Sequence, residues 1–238
     1  MIFGGVRMYA KFFKRLFDFL LSLTAILALS PILLILTVIG AIAMGGNPFF
    51  TQLRPGKIDK KTGKEKIFKL VKFRTMSNKK DKDGNLLPDD QRLNKYGRIL
   101  RSTSLDELPE LWNILKGDMA IVGPRPQLVR DMVFMSDAQR ARHSVRPGLT
   151  GLAQVSGRNN ITWEQKFEYD LKYIKGITFF GDVKILFQTV GKVLKRSDTV
   201  REGTVSDMDF GDWLMMEGKV DQQTYDAKQA EAKELLKA

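Results

Sequence analysis

The hydrophobic pattern of the chain is dominated by one long apolar stretch near the N-terminus. Residues 19–53 contain no charged residue, and residues 19–44 are the most apolar part. This length exceeds the roughly 20 residues that a helix needs to span a bilayer. It is also far longer than the roughly 7–15 apolar residues of a signal peptide. The pattern therefore predicts a membrane-associated helix over residues 1–48.

Two features favour a helix that enters the membrane and returns on the same side. Pro31 lacks the N–H of a helical hydrogen bond, and Ser30 can bond the freed backbone, so this pair predicts a break between two half-helices. Basic residues, which prefer the cytoplasm, flank both ends of the stretch. These residues are Lys11, Lys14, Arg15, Arg54, Lys57, Lys60 and Lys61. A plain spanning helix remains the alternative.

The remaining pattern predicts mainly helices and a small amount of strand. Residues 67–76 alternate as a strand does, and residues 105–115 have helical spacing that Gly117 would end. Residues 162–174 and 182–196 are amphipathic, and they either lie on a membrane surface or pack against a soluble core. We expect an α+β, mainly helical fold with a re-entrant membrane helix, a globular domain over 49–202 and a C-terminal extension over 203–238 of unassigned role.

Composition narrows the possible partners. The chain has 39 Lys+Arg against 27 Asp+Glu, which gives a net charge of +12. Such a charge favours nucleic acid, an acidic membrane face or a phosphorylated substrate. The absence of cysteine excludes disulfides, thiolate catalysis and Cys-ligated zinc. The single histidine, His143, is expected at the surface.

Two adjacent carboxylates, Asp106 and Glu107, are the strongest candidates for chemistry. One interpretation is a capping box, in which Ser104 caps a helix and Glu107 reaches back to it. Another places Pro109 at the first helical position, with the carboxylates just before it. The functional interpretation gives one carboxylate the role of nucleophile or base and the other that of a Mg²⁺ ligand.

Phosphate chemistry also needs cations, and the sequence offers them. Lys72, Arg101, Arg125 and Arg158 would neutralise phosphate oxygens if they converge. A P-loop motif and a dinucleotide-binding glycine motif are both missing from the sequence, so a nucleotide would be held by side chains and irregular backbone. Near the membrane entry, Lys14 and Arg15 share a helix face with Asp18. This face forms either an ordinary salt bridge or a site for a lipid phosphate.

Taken together, short motifs spread over residues 14–196 resemble the monotopic phosphoglycosyl transferases, a family of bacterial sugar transferases. Each motif is weak alone, but their order and spacing are specific. The matching positions are Lys14, Arg15, Phe17 and Asp18; Ser30 and Pro31; Gln52, Arg54 and Gly56; 72–76; 104–109; 117–119; 122–126; 146–151; Gln154; and 157–159.

The resemblance implies a fold and a reaction. The fold is a re-entrant helix hairpin broken at Ser30 and Pro31, with the globular part on the cytoplasmic face of the inner membrane. The reaction moves a sugar 1-phosphate from a UDP-sugar to a polyprenyl phosphate, usually undecaprenyl phosphate. Its products are a polyprenyl diphosphate sugar and UMP. Such a step begins the assembly of a capsule, an exopolysaccharide or a glycoprotein glycan.

The resemblance also implies roles for individual residues. Asp106 would be the nucleophile of a ping-pong reaction through a covalent phosphosugar, and Glu107 would bind Mg²⁺. The predicted phosphate or nucleotide contacts are Lys72, Arg101, Arg125 and Arg158. The predicted lipid headgroup contacts at the membrane entry are Lys14, Arg15 and Asp18. Expected partners are membrane lipids and downstream glycosyltransferases, but not nucleic acid, and the resemblance allows a homodimer.

Two other classes of function stay open at this point. A membrane-anchored module that binds an anionic polymer would account for the net charge, and a scaffold of a polysaccharide-assembly complex would account for the fold. Neither needs Asp106 and Glu107 together. The sequence does not identify the sugar, because ring substituents are recognised by the shape of a pocket.

Overall fold

The computed structural model describes residues 8–157, 161–195 and 208–237. A turn of π-helix, Tyr9–Phe13, leads into the long apolar helix α1, Lys14–Met44. Pro31 lies inside α1, and the Ser30 hydroxyl donates to the carbonyl of Leu27 at 2.8 Å. That carbonyl is the one that Pro31 leaves without its usual helical donor. The backbone stays helical through Pro31, so the predicted break into two half-helices is not confirmed.

Both ends of α1 lie against the same globular domain. Near its start, the Arg15 guanidinium donates to the carbonyls of Ile114 and Leu115 at 2.6 and 2.8 Å. Near its end, the Tyr96 hydroxyl donates to the Leu36 carbonyl at 2.9 Å. The opposite face of α1 exposes large apolar side chains: Leu20, Leu21, Leu27, Leu34, Ile35, Val38, Ile39 and Ile42. One face of α1 thus packs on protein and the other presents an apolar surface.

The first sheet is an antiparallel ribbon of β1, Phe49–Ile58, and β2, Glu65–Phe73, with Phe49 opposite Phe73. The predicted strand over 67–76 is thus confirmed with a shift in its bounds, but β1 was not predicted. Its Pro55 is unusual in strands, and a ribbon tolerates it because both strands are edges and the register shifts just after it. Asn113 then pairs with the other edge of β2, accepting from the Val71 N–H at 3.1 Å.

Short helices and a second small sheet complete the domain. In chain order the next elements are α2 (Asp89–Arg92), α3 (Lys95–Thr103), α4 (Glu110–Lys116), β3 (Ala120–Val122), α5 (Val129–Met132), α6 (Asp137–Arg140), β4 (Gly148–Thr150), α7 (Leu152–Ser156), α8 (Trp163–Lys175), α9 (Phe179–Lys195), α10 (Phe210–Met216) and α11 (Gln222–Leu235). Strands β3 and β4 are parallel. The mainly helical α+β class is confirmed, and α4 ends at Gly117 as predicted, in a left-handed conformation.

Among the described residues, the buried apolar side chains form four clusters, and the first joins α1 to the sheet. Ile26 of α1 packs there with Phe68 and Leu70 of β2 and with Leu111 and Ile114 of α4. Burial of such side chains removes apolar surface from water and is the main stabilising force. This cluster therefore fixes α4, and with it the residues that precede α4, against the membrane helix.

The C-terminal segment also belongs to the core. Phe210 and Leu214 of α10 pack with Trp163 and Phe167 of α8 in one cluster. In another, Ala232 of α11 packs with residues of α5. Residues 208–237 therefore fold back onto the globular domain and cover α5.

This packing predicts that Phe210→Ala destabilises the protein by about 3–5 kcal/mol, the usual cost of truncating a buried phenylalanine. The exposed Met216 of the same helix provides the control, and Met216→Ala should change stability by less than about 0.5 kcal/mol. Denaturant unfolding of detergent-solubilised protein measures both. Equal stability of the two variants would show that α10 is not part of the core.

Candidate active site

The backbone around Asp106 and Glu107 is unusual. Helix α3 ends at Ser104, whose φ of 56° is the only positive value at a non-glycine residue in the described part of the chain. Such conformations are costly and concentrate at functional sites. The chain then forms a 3₁₀ turn, Leu105–Glu107, before Pro109 caps α4. The Ser104 side chain makes no capping bond. The capping box is therefore not formed, and the carboxylates lie just before α4.

Glu107 is the meeting point of two cations. Its Oε1 accepts from Lys72 Nζ at 2.9 Å and from Arg125 Nη2 at 2.6 Å. Burial alone would raise the pKa of Glu107, but the charges of Arg125 and Lys72 hold it well below its ordinary value. Glu107 is therefore ionised and joins β2 to the segment after β3.

Glu110 is a third carboxylate at this centre, and the sequence analysis missed it. It is 2% exposed, and its Oε1 lies 3.1 Å from Lys72 Nζ. Burial raises its pKa to about 7, against the charge of Lys72 and with the help of Glu107. The sequence did carry a signal for Glu110, which lies four residues after Asp106 and three after Glu107. Residues at these spacings in a helix face the same side.

Asp106 differs from both neighbours because it makes no hydrogen bond or ion pair within residues 8–157, 161–195 and 208–237. Burial, and then the negative charge of Glu107, raise its pKa to about 6, while Lys72, Arg125 and Arg101 oppose the rise. At neutral pH the carboxylate is thus mostly ionised, surrounded by cations and free of protein partners. A raised pKa also makes a carboxylate a better nucleophile or base.

The predicted phosphate-binding cations have different environments. Lys72 and Arg125 both contact Glu107, as described. Arg101 donates from Nε to the Thr75 hydroxyl at 3.1 Å, and its charge also acts on Asp106. Arg158 lies outside the described residues. The structure therefore brings Lys72, Arg101 and Arg125 around Asp106.

Two arginines, the buried Arg142 and the half-buried Arg54, hold the backbone carbonyls of Arg125 and Pro126. Arg142 donates to the Arg125 carbonyl at 2.6 Å and is itself fixed by Asp170 of α8, also at 2.6 Å. Arg54 donates to the Pro126 carbonyl at 3.1 Å. The sequence analysis did not assign Arg142 or Asp170 a role, because residues 28 positions apart carry no local spacing signal.

The residues of the membrane entry bind the globular domain. Lys14 Nζ lies 2.7 Å from Asp182 Oδ2 of α9, and the Ile121 N–H donates to Asp18 at 3.0 Å. The expected pair of Lys14 and Asp18 is present at 3.9 Å. Arg15 binds the last carbonyls of α4, as described above. These contacts fasten α1 to the domain, and the role of the three residues towards a lipid headgroup stays a prediction.

His143 was expected at the surface, and that expectation was wrong. The side chain is buried, with Nδ1 3.0 Å from Glu65 Oε1. Burial lowers the pKa of His143, although Glu65 opposes this. The histidine is thus a buried residue that Glu65 fixes in the fold.

Comparison with known proteins gives a consistent picture. A family model described as "Bacterial sugar transferase" matches residues 9–196. The chain is 47% identical over 181 residues to an uncharacterised sugar transferase, EpsL, of Bacillus subtilis, which covers 76% of this chain and 87% of that protein.

Longer relatives match over a similar region. A UDP-glucose:undecaprenyl-phosphate glucose-1-phosphate transferase of Klebsiella pneumoniae is 40% identical, over 76% of this chain and 40% of the relative. A UDP-galactose-lipid carrier transferase of Erwinia amylovora is 37% identical, over 79% of this chain and 41% of the relative. The chain thus spans about two-fifths of these longer proteins.

The raised pKa of Glu110 predicts a pH-dependent stability. Between its ordinary pKa of 4.5 and about 7, the folded state holds a proton that the unfolded state has lost. Stability therefore falls as pH rises through this window. Glu110→Gln removes this titration. As pH rises from 4.5 to 8, the free energy of unfolding of the variant should therefore increase relative to that of the wild type by up to about 3 kcal/mol.

Thermal unfolding at several pH values in detergent micelles measures this difference. Glu168→Gln, on an exposed position of α8, is the matched control and should follow the wild type. Parallel pH curves for the wild type and Glu110→Gln would contradict the assignment.

Proposed function

Since the chain belongs to the bacterial sugar transferase family, we propose that it transfers a sugar 1-phosphate from a UDP-sugar to undecaprenyl phosphate. The products are undecaprenyl diphosphate sugar and UMP. The observation that carries the proposal is Asp106, a half-buried carboxylate without a protein partner in the described chain and under the charges of Lys72, Arg101 and Arg125. A module that only binds an anionic polymer, or a scaffold, has no use for such a carboxylate.

The reaction proceeds in two displacements. In the first, an oxygen of Asp106 attacks the sugar-bearing phosphorus of the UDP-sugar, the bond from that phosphorus to UMP breaks, and UMP leaves. The enzyme then carries an acyl phosphosugar on Asp106. In the second, a phosphate oxygen of undecaprenyl phosphate attacks the same phosphorus and releases the Asp106 carboxylate. This order is ping-pong, as covalent catalysis implies.

Lys72 and Arg125 serve both displacements. They stand 2.9 and 2.6 Å from Glu107, so Glu107 fixes the position of two cations beside the nucleophile. Positioned cations stabilise the charge on phosphate oxygens in a phosphoryl transfer. Glu107 thereby keeps both charges close to Asp106 before substrate arrives.

The carboxylates of this centre fit a Mg²⁺ ion. Mg²⁺ prefers carboxylate oxygens and is commonly held by one or two carboxylates together with substrate phosphates. Burial and then the charge of Glu107 raise the pKa values of Asp106 and Glu110, so a bound cation would favour their ionised forms. Glu107 would hold the ion, as the resemblance implies. When bound, the ion would neutralise charge on the diphosphate of the donor.

The membrane placement that we propose is monotopic, with the domain on the cytoplasmic face of the inner membrane and α1 re-entrant. Contacts at both ends of α1 with one domain support this placement. Helix α9 extends the apolar surface, because Phe180, Phe187 and Leu194 are strongly exposed. The ring of Phe179 packs on Phe17 of α1 with centroids 5.5 Å apart, which makes the two surfaces continuous.

The wider role that we propose is the first step of exopolysaccharide assembly. Relatives from two rhizobial species are named exopolysaccharide production proteins. The diphosphate-linked product would pass to glycosyltransferases that add further sugars. A homodimer stays an expectation from the resemblance.

The proposal predicts that Asp106→Asn lowers UMP release by at least about 10³-fold, because the amide cannot form the acyl phosphosugar. Purified protein with Mg²⁺, undecaprenyl phosphate and a panel of UDP-sugars provides the assay. Intact-mass spectrometry should detect a phosphosugar adduct on the wild type and none on the variant.

A control variant separates loss of chemistry from loss of fold. Glu168→Gln should release UMP as the wild type does, and Asp106→Asn should unfold at the wild-type temperature or above it, since it removes a buried charge. Substantial UMP release by Asp106→Asn would remove Asp106 as the nucleophile.

The pKa of Asp106 predicts the pH dependence of the first displacement. Below about pH 6 the carboxylate becomes protonated, so the rate of UMP formation in a single turnover should fall about tenfold for each further pH unit. Rapid quenching between pH 4.5 and 8 measures this rate. A rate that stays constant down to pH 4.5 would show that Asp106 is not the titrating nucleophile.

A further inference from the structure

A second polar cavity lies at the other end of α4 from the candidate active site. Its volume is about 210 Å³, which is large enough for a phosphate group. Its walls come from the end of β1, from the start of β2, from Gly117 after α4 and from Arg146 before β4. The charged lining residues are Lys57, Asp59, Lys66, Asp118 and Arg146.

Only some of the charged side chains that line this cavity form ion pairs in the described part of the chain. Lys66 forms an ion pair with Asp118 at 3.2 Å, and Asp59 Oδ1 accepts backbone N–H groups of its own turn. Within the described ranges, Lys57 and Arg146 form no ion pair. Arg146 donates from Nε to the Gly117 carbonyl at 2.7 Å, which fixes its guanidinium at the wall. Lys57 and Arg146 thus share a cavity whose two carboxylates are engaged elsewhere, Asp59 by its own turn and Asp118 by Lys66.

The electrostatic environment agrees with this geometry. Burial and then the charges of Arg146 and Lys60 lower the pKa of Lys57. Burial and then the charge of Arg15 lower the pKa of Arg146. Each cation is therefore destabilised by its neighbours, and a bound anion would relieve both.

The cavity also lies close to the membrane entry. The Arg15 guanidinium borders Gly117, where an added Cβ would come within 3.1 Å of it. Arg15 begins the apolar helix α1, and the exposed side chains of Phe12, Phe13 and Leu16 surround it in sequence. Anionic lipid headgroups are attracted to basic residues at this level of a membrane.

We propose that this cavity binds a phosphate group, separate from the catalytic centre, and that Lys57 and Arg146 are its principal ligands. The phosphate can belong to an anionic lipid headgroup or to a soluble phosphate compound. The site would anchor the domain to an acidic membrane beside the start of α1 in the first case, and would sense soluble phosphate in the second.

The test compares two charge-matched double variants of the full chain in detergent micelles. Lys57→Gln with Arg146→Gln removes the two proposed ligands from the cavity. Lys64→Gln with Lys79→Gln removes two exposed cations that do not line it. Native mass spectrometry measures binding of phosphatidylglycerol, and calorimetry measures binding of inorganic pyrophosphate. UMP release should be unchanged in both variants, so failure here is distinct from failure of the proposed function.

The cavity variant should bind phosphatidylglycerol at least about 25-fold more weakly than the wild type, taking about fivefold for each cation near a membrane surface. The control variant should bind it as the wild type does. Weakened binding of pyrophosphate alone would identify the ligand as a soluble phosphate. Equal losses in the two variants, or no loss in either, would overturn the proposal.

Discussion

The candidate active site depends on the ion pairs of Glu107. Lys72 comes from β2, Arg125 from the segment after β3, and both end on the same carboxylate oxygen. A half-buried carboxylate that is paired in this way stays ionised, and it holds two cations where water alone would not. The neighbouring Asp106 is left without a partner in the described chain. Glu107 thus positions the two cations, and Asp106 is the carboxylate to which we assign the chemistry.

The surrounding fold fixes these ion pairs in place. Asn113 of α4 bonds β2, which carries Lys72, and Arg142 and Arg54 hold the backbone carbonyls of Arg125 and Pro126. Buried ion pairs such as that of Arg142 with Asp170 contribute little net stability, but their geometry is well defined. Their value here is the position of Arg125. The C-terminal helices add to this order because they cover α5, which follows the Arg125 segment.

In α1 the predicted hydrogen bond of Ser30 is present, but the predicted break at Pro31 is not confirmed. Ser30 does bond the carbonyl that Pro31 frees, as the sequence indicated. That bond compensates for the missing N–H, so α1 continues where a break was expected. The bond from Arg15 of α1 to α4 and the bond from Tyr96 of α3 to α1 then place both parts of α1 on one domain, which no pattern of hydrophobic residues could reveal.

The sequence by itself determined the apolar helix, the amphipathic helices, the end of α4 at Gly117 and the adjacency of Asp106 and Glu107 near the start of a helix. These are local patterns, in which periodicity, glycine and proline act within a few residues. Only the tertiary structure decided that Glu107 takes Lys72 and Arg125, that Glu110 joins them, that His143 is buried and that Arg142 holds Arg125. Such contacts join residues far apart in the chain, and their energies depend on burial, which local spacing does not encode.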